Sequence, residues 1–120
     1  MARILVVDDS ATLLAGTTKI LESAGHEVLA AENGEIGVAK SISDKPDLIV
    51  MDVVMPGISG FQATRQITNN PDTKDIPIIM LTTKDQETDK VWATRQGAKD
   101  YVIKPPEKKE LLAKISALLV

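Results

Sequence analysis

Four short runs that are almost wholly apolar and rich in β-branched residues constrain this chain more than any other feature. They are ILVV (4–7), LIVM (48–51), IIML (78–81) and the weaker YVI (101–103). Runs this short and uniformly apolar suit strands covered on both faces, the habit of parallel sheets. A fifth run, HEVLAAE (26–32), partly alternates and reads as an edge strand.

Segments with helical spacing lie between the runs. In SATLLAGTTKILESAG, residues Leu13, Leu14, Thr17, Ile20, Leu21 and Ala24 recur on one face, and Gly25 supplies the stop. Segment 34–44 repeats the pattern more weakly through Ile36, Val38, Ala39 and Ile42, until Pro46 forbids continuation. Ser59 with Gln62 three residues on predicts a capping box opening a helix with Phe61, Thr64 and Ile67. Asp85 can cap a helix through Val91 and Trp92 that stops at Gly97. Pro106 suits the first turn of a last helix with Leu111, Leu112, Ile115, Leu118 and Leu119 inward. The pattern is βα repeated five times, which predicts an open α/β sheet with right-handed crossovers.

At 120 residues the chain is expected to form one domain over 1–120, without a separate effector domain. It has no cysteine, which excludes thiolate metal sites, and no apolar run of membrane-spanning length. A net charge of −3 argues against a nucleic-acid surface. The expected setting is cytoplasmic, with acids following too soon after MARILVV for a secretory leader.

In open α/β sheets the working site lies at the carboxyl ends of the strands. The polar residues gather there. The first run ends in Asp8-Asp9, the third in Asp52, the fourth in Thr82-Thr83 and the last in Lys104-Pro105. Asp52 interrupts the apolar stretch LIVMDVVMPG, and it is expected to emerge from the core at the strand end, with 53–57 as the loop beyond. Three carboxylates on one rim repel one another and raise their pKa values unless a cation joins them. A few oxygen ligands with room for water and phosphate suit Mg²⁺ better than Ca²⁺. Lys104 and the Thr82 hydroxyl would then stabilise an oxyanion on one of the acids, as in an aspartyl phosphate.

Asp8-Asp9, the D-x-x-M-P-x-x-x-G of Asp52 to Gly60, Thr82 and Lys104-Pro105 together resemble the receiver domain of bacterial two-component response regulators, over essentially the whole chain. The resemblance implies a flavodoxin-like doubly wound (βα)5 fold with strand order 2-1-3-4-5. It implies Asp52 as phosphoacceptor, Asp9 as a direct Mg²⁺ ligand, Asp8 as a ligand through water, and the Val54 carbonyl as a further ligand. Lys104 would pair with the phosphoryl group, Thr82 would hydrogen-bond it, and Tyr101 would follow Thr82 inward as the switch aromatic. Thr83 stands where a smaller alanine is frequent and would narrow access to the acyl phosphate, while Val54 and Lys84 occupy positions that set how fast the group is lost. Lys104-Pro105 would be a cis peptide. GFQATRQ (60–66) and TTKDQETDKVW (82–92) are similar to the twitching-motility branch, the PilH-like receivers of type IV pilus systems.

The implied partners are a histidine kinase and a downstream protein that reads a surface from about residue 85 to 119. Draining phosphate from another receiver stays open beside a motor effect. An aspartyl-nucleophile phosphohydrolase is the rival from another class, but it wants a second acid where Val54 stands. No glycine-rich phosphate loop follows any run, against a nucleotide-binding module. His26 reads as a solvated turn residue, and EKKE (107–110) as a solvated helix start.

Overall fold

Each apolar run becomes a strand: β1 Arg3–Val7, β2 Glu27–Ala31, β3 Leu48–Asp52, β4 Ile78–Thr82 and β5 Asp100–Ile103. The structure, a computed structural model, describes residues 2–82, 91 and 93–119. The expected cap at Asp85, the side chain of Lys84 and Trp92 lie outside the described residues. All strands pair in parallel, in the order β2-β1-β3-β4-β5. Four helices are described in full: α1 Ala11–Ser23, α2 Gly34–Asp44, α3 Gly60–Thr68 and α4 Lys108–Leu118. None of the helices among the described residues is long and apolar enough to cross a membrane.

Side-chain alternation along the strands divides the core into two layers. Leu5, Val7, Ile49, Met51, Ile78 and Met80 pack on one face with Ala63 and Ile67 of α3. Ile4, Val6, Leu48, Val50, Ile79, Leu81 and Val102 pack on the other with Leu21 of α1 and Leu111 and Ile115 of α4. The sheet is thus covered on both sides, as the unbroken apolar runs require.

The helix starts follow local chemistry. Ser10 and Asn33 accept from the N–H groups of Leu13 and Ile36 and cap α1 and α2. At α3 the capping box is complete: the Ser59 hydroxyl accepts from Gln62 N–H at 3.2 Å, and Gln62 Oε1 accepts from Ser59 N–H at 2.9 Å.

Four expectations change. In α2, Ile36 and Val38 pack on the core as expected, but the fully buried positions are Gly34, Gly37 and Ser41, while Ala39 is exposed and Ile42 is 39% exposed. The reason is a close approach: a Cβ on Gly37 would lie 2.8 Å from Val7 Cγ2, so only small residues fit there. Helix α4 starts at Lys108, because Glu107 is extended and forms the cap position, leaving Pro106 outside. His26 is half-buried, and its Nδ1 accepts the Ala2 N–H at 3.1 Å, which ties the first strand to the loop before β2. Ala24, also expected inward, is exposed beyond the end of α1.

The two glycines at contrasting helical positions give a direct check of this packing. Gly37→Ala is expected to destabilise by about 1–3 kcal/mol through overpacking against Val7. Gly16→Ala in α1, where a Cβ meets nothing within 4 Å, should stabilise by about 0.5–1 kcal/mol. Urea denaturation of the two variants measures both.

Candidate functional site

The strand order places β1 and β3 side by side, so their carboxyl ends bring Asp8, Asp9 and Asp52 together. One oxygen from each of the three carboxylates lies within 4.8 Å of the others. Asp8 is fixed by its own main chain: its N–H donates to the Ala31 carbonyl at 3.0 Å, and its Oδ1 accepts from Ser10 N–H at 2.9 Å. Asp9 is exposed at the rim, beside an open cleft of about 510 Å³ lined also by Glu32, Asn33, Glu35, Pro56 and Gly57.

Asp52 does not emerge from the core as expected. It is the last residue of β3, paired with Leu81 of β4, and only 1% exposed. The loop beyond folds back over it: Val53 N–H donates to the Leu81 carbonyl at 3.1 Å, and Gly60 N–H donates to the Val53 carbonyl at 2.7 Å. A Cβ at Gly60 would lie 1.9 Å from the Asp52 carbonyl oxygen. The first residue of α3 therefore has to be glycine for the helix to seat against the strand end. This constraint escaped the sequence reading, although the glycine directly after the capping Ser59 is its signal.

Lys104 crosses from β5 to meet the acid. Its Nζ lies 2.7 Å from Asp52 Oδ1, and its N–H donates to the Thr82 carbonyl at 2.8 Å. The Lys104-Pro105 peptide is cis, as expected. Thr82, the last residue of β4, is fully buried. Tyr101 is half-buried on β5 and packs on the core layer that contains Met80. Val54 is 66% exposed in the loop after Asp52. Thr83 lies outside the described residues.

The electrostatics are dominated by burial. It pushes the Asp52 carboxyl up from 3.8 to about 6; the Lys104 hydrogen bond opposes the rise, and the negative charge of Asp8 adds to it. Repulsion among the acids is therefore secondary to desolvation. Asp8 Oδ2, Asp52 Oδ2 and Thr82 Oγ1 are buried without a hydrogen-bond partner among the described residues. Unpaired buried oxygens are costly, and two of these belong to carboxylates in one cluster. An all-oxygen donor set of this kind fits a hard divalent cation, and the Thr82 hydroxyl remains able to donate to an anion beside it.

A sequence profile of the response regulator receiver domain matches residues 4–116. This chain belongs to the response regulator receiver family. PilH of Pseudomonas aeruginosa is 58% identical to this receiver over 119 residues, covering 99% of this chain and 98% of that protein. The chemotaxis protein CheY4 of Vibrio cholerae superposes with a TM-score of 0.92 at 33% identity, covering 99% of each chain. The receiver domain of the sensor histidine kinase PA1611 of P. aeruginosa, which has a magnesium ion coordinated in its active-site cleft, superposes with a TM-score of 0.91. It is 28% identical and covers 98% of this chain and 97% of that one. The flavodoxin-like fold and the likeness to the PilH branch, both expected from sequence, hold.

The raised Asp52 pKa makes a signed prediction. Between pH 3.8 and about 6 the folded state retains a proton that the unfolded state has released, so stability falls as pH rises through this window. In metal-free buffer Asp52→Asn should lack this decline and exceed the parent protein in stability at pH 7.5 by about 1–3 kcal/mol. The difference should shrink toward pH 4, as read by urea denaturation at both pH values.

Proposed function

We propose that Asp52 accepts a phosphoryl group from a histidine kinase, with Mg²⁺ held by Asp8, Asp9, Asp52 and the Val54 carbonyl. The observation that carries this reading is the 2.7 Å pair of Lys104 and a buried Asp52 beside two further carboxylates. An Asp52 carboxylate oxygen attacks phosphorus, its O–P bond forms as the P–N bond of the kinase phosphohistidine breaks, and the imidazole leaves. Asp9, which lines the open cleft at the rim, marks the side from which the donor would approach. The bound cation supplies positive charge for the phosphoryl oxygens.

Lys104 keeps Asp52 ionised at neutral pH despite its burial, and its ammonium then passes to a phosphoryl oxygen as charge develops there. The orphan hydroxyl of Thr82 supplies a donor on the same side, and its hydrogen bond draws the end of β4 inward with Tyr101 following. Val54 offers no acid to drive repeated hydrolysis, which supports a stoichiometric switch over an enzyme acting on outside substrates.

Resemblance to the twitching-motility branch, together with 58% identity to PilH, supports a place in type IV pilus or chemotaxis-like signalling in the cytoplasm. The output face is the surface toward the end of the chain, of which residues 93–119 are described.

Incubation with a small phosphodonor and Mg²⁺ should give one phosphoryl group per chain and none in Asp52→Asn. Continuous release of phosphate from ordinary phosphomonoesters, or stoichiometric labelling of the variant, would sink the proposal. A second measurement addresses the cation. Mg²⁺ at pH 7.5 should raise the melting temperature of the parent protein, and Asp9→Ala should require at least tenfold more Mg²⁺ for the same rise. An unchanged midpoint would remove Asp9 from the ligand set.

A further inference from the structure

The main chain of Tyr101, on the outer strand β5, is held on both sides by side chains. Asp100 Oδ1 accepts its N–H at 2.8 Å, and Lys114 of α4 donates to its carbonyl at 2.6 Å. The same Lys114 Nζ lies 3.2 Å from Asp100 Oδ1 and 3.7 Å from Glu110 Oε2. It also sits 4.9 Å from the centroid of the Tyr101 ring. An ammonium has three donors, and here they face three acceptors while the cation lies against an aromatic face. Only 25% of the Lys114 side chain is exposed, so the contacts are partly shielded from water.

Capping an edge strand accounts for the bond to the carbonyl alone. It does not call for one cation to bridge a strand acid, a helix acid and the ring at once. This knot also lies three residues from Lys104, whose N–H is bonded to Thr82 and whose Nζ is bonded to Asp52. An unbroken path of short contacts therefore runs from Asp52 through Lys104 and the β5 main chain to Lys114 and α4.

We propose that Lys114 is a positioning residue that ties Tyr101, through its ring face and carbonyl, to α4, so that the state of the Asp52–Lys104 pair is transmitted to the β5–α4 face through this contact. The transmission rests on Asp52 being the phosphoacceptor; the hold on the ring does not. With its acceptors on two elements, Lys114 cannot follow the ring, and movement of Tyr101 must give up the cation–ring contact. Removing the charge therefore favours the moved position. By reciprocity it also tightens whatever binding at Asp52 drives that movement.

The chain has one tyrosine, so 3-fluorotyrosine labelling gives one ¹⁹F ring resonance for Tyr101. The probe for the site is Mg²⁺ with beryllium fluoride, whose own ¹⁹F signals report binding. In the parent protein the ring resonance should move on loading. In unloaded Lys114→Gln it should already be displaced toward the loaded position, and half-saturation by beryllium fluoride should fall about 2–5-fold. Lys114→Arg should restore both readings, and Glu110→Gln should give a smaller displacement, with far-ultraviolet circular dichroism showing each variant folded. An unloaded Lys114→Gln resonance superposable on the parent's, or Lys114→Arg behaving like Lys114→Gln, would overturn the proposal. Bound beryllium fluoride with an unmoved parent resonance would refute the transmission, whereas absence of bound beryllium fluoride would instead refute the Asp52 reading.

Discussion

One carboxylate taken out of water and held against one ammonium is the constraint on which the rest of this structure depends. Asp52 is buried, and burial alone would protonate it near neutrality. Lys104 opposes this at 2.7 Å, but only because β3, β4 and β5 end in register. The strand β4 separates the two residues, so their main chains lie roughly 10 Å apart at the usual strand spacing. A long flexible side chain can span that gap over Thr82, and a compact donor cannot. The lysine is thus as much a consequence of strand order as of charge.

The same constraint reaches into the packing around the site. Since Asp52 is covered, the chain beyond it has to turn back at once, and α3 seats on the strand end so closely that Gly60 admits no side chain. Beneath the site both faces of the sheet are filled with aliphatic residues. Such a layer is closely packed and yields little, so the ends of the strands keep their spacing. Carboxylates brought together on a rigid floor cannot relax apart. Their unpaired oxygens then favour a cation over a rearrangement of the protein, which is how an acid-rich rim becomes a binding centre.

The strands and the position of the site were legible in the sequence because both follow from short-range rules. An unbroken run of β-branched residues is a strand buried on two faces, and the residue after it sits on the working rim. The capping box at Ser59 and Gln62 was readable for the same reason. What escaped the reading depends on contacts between distant segments. The small-residue face of α2 is set by Val7 of β1, the tie of His26 to Ala2 by the approach of two termini of strands, and the seating of α3 on the end of β3 by the lack of a side chain at Gly60. No periodicity within a segment encodes these. The start of α4 differs from the expectation because Glu107 is extended and takes the cap position, so Pro106 falls before the helix and not in its first turn. The part of the expected site at Thr83 and the cap at Asp85 lie beyond the described residues.

Strand β5 differs from its neighbours in a way that bears on signalling. The central strands β1, β3 and β4 are bonded on both sides and their side chains, Arg3 apart, are buried. β5 has one strand neighbour and a mostly half-buried face, and its free edge at Tyr101 is bonded by Asp100 and by Lys114 of α4. It is also the strand that delivers Lys104 to Asp52. A change of charge at Asp52 acts first on Lys104, and the core layers beneath the central strands resist displacement. The element left to respond is the one whose edge contacts are polar and partly solvated, since those can be exchanged at small cost. On the proposed role of Asp52, chemistry at the middle of the sheet would therefore be felt most readily at its outer strand and at the helix bound to it.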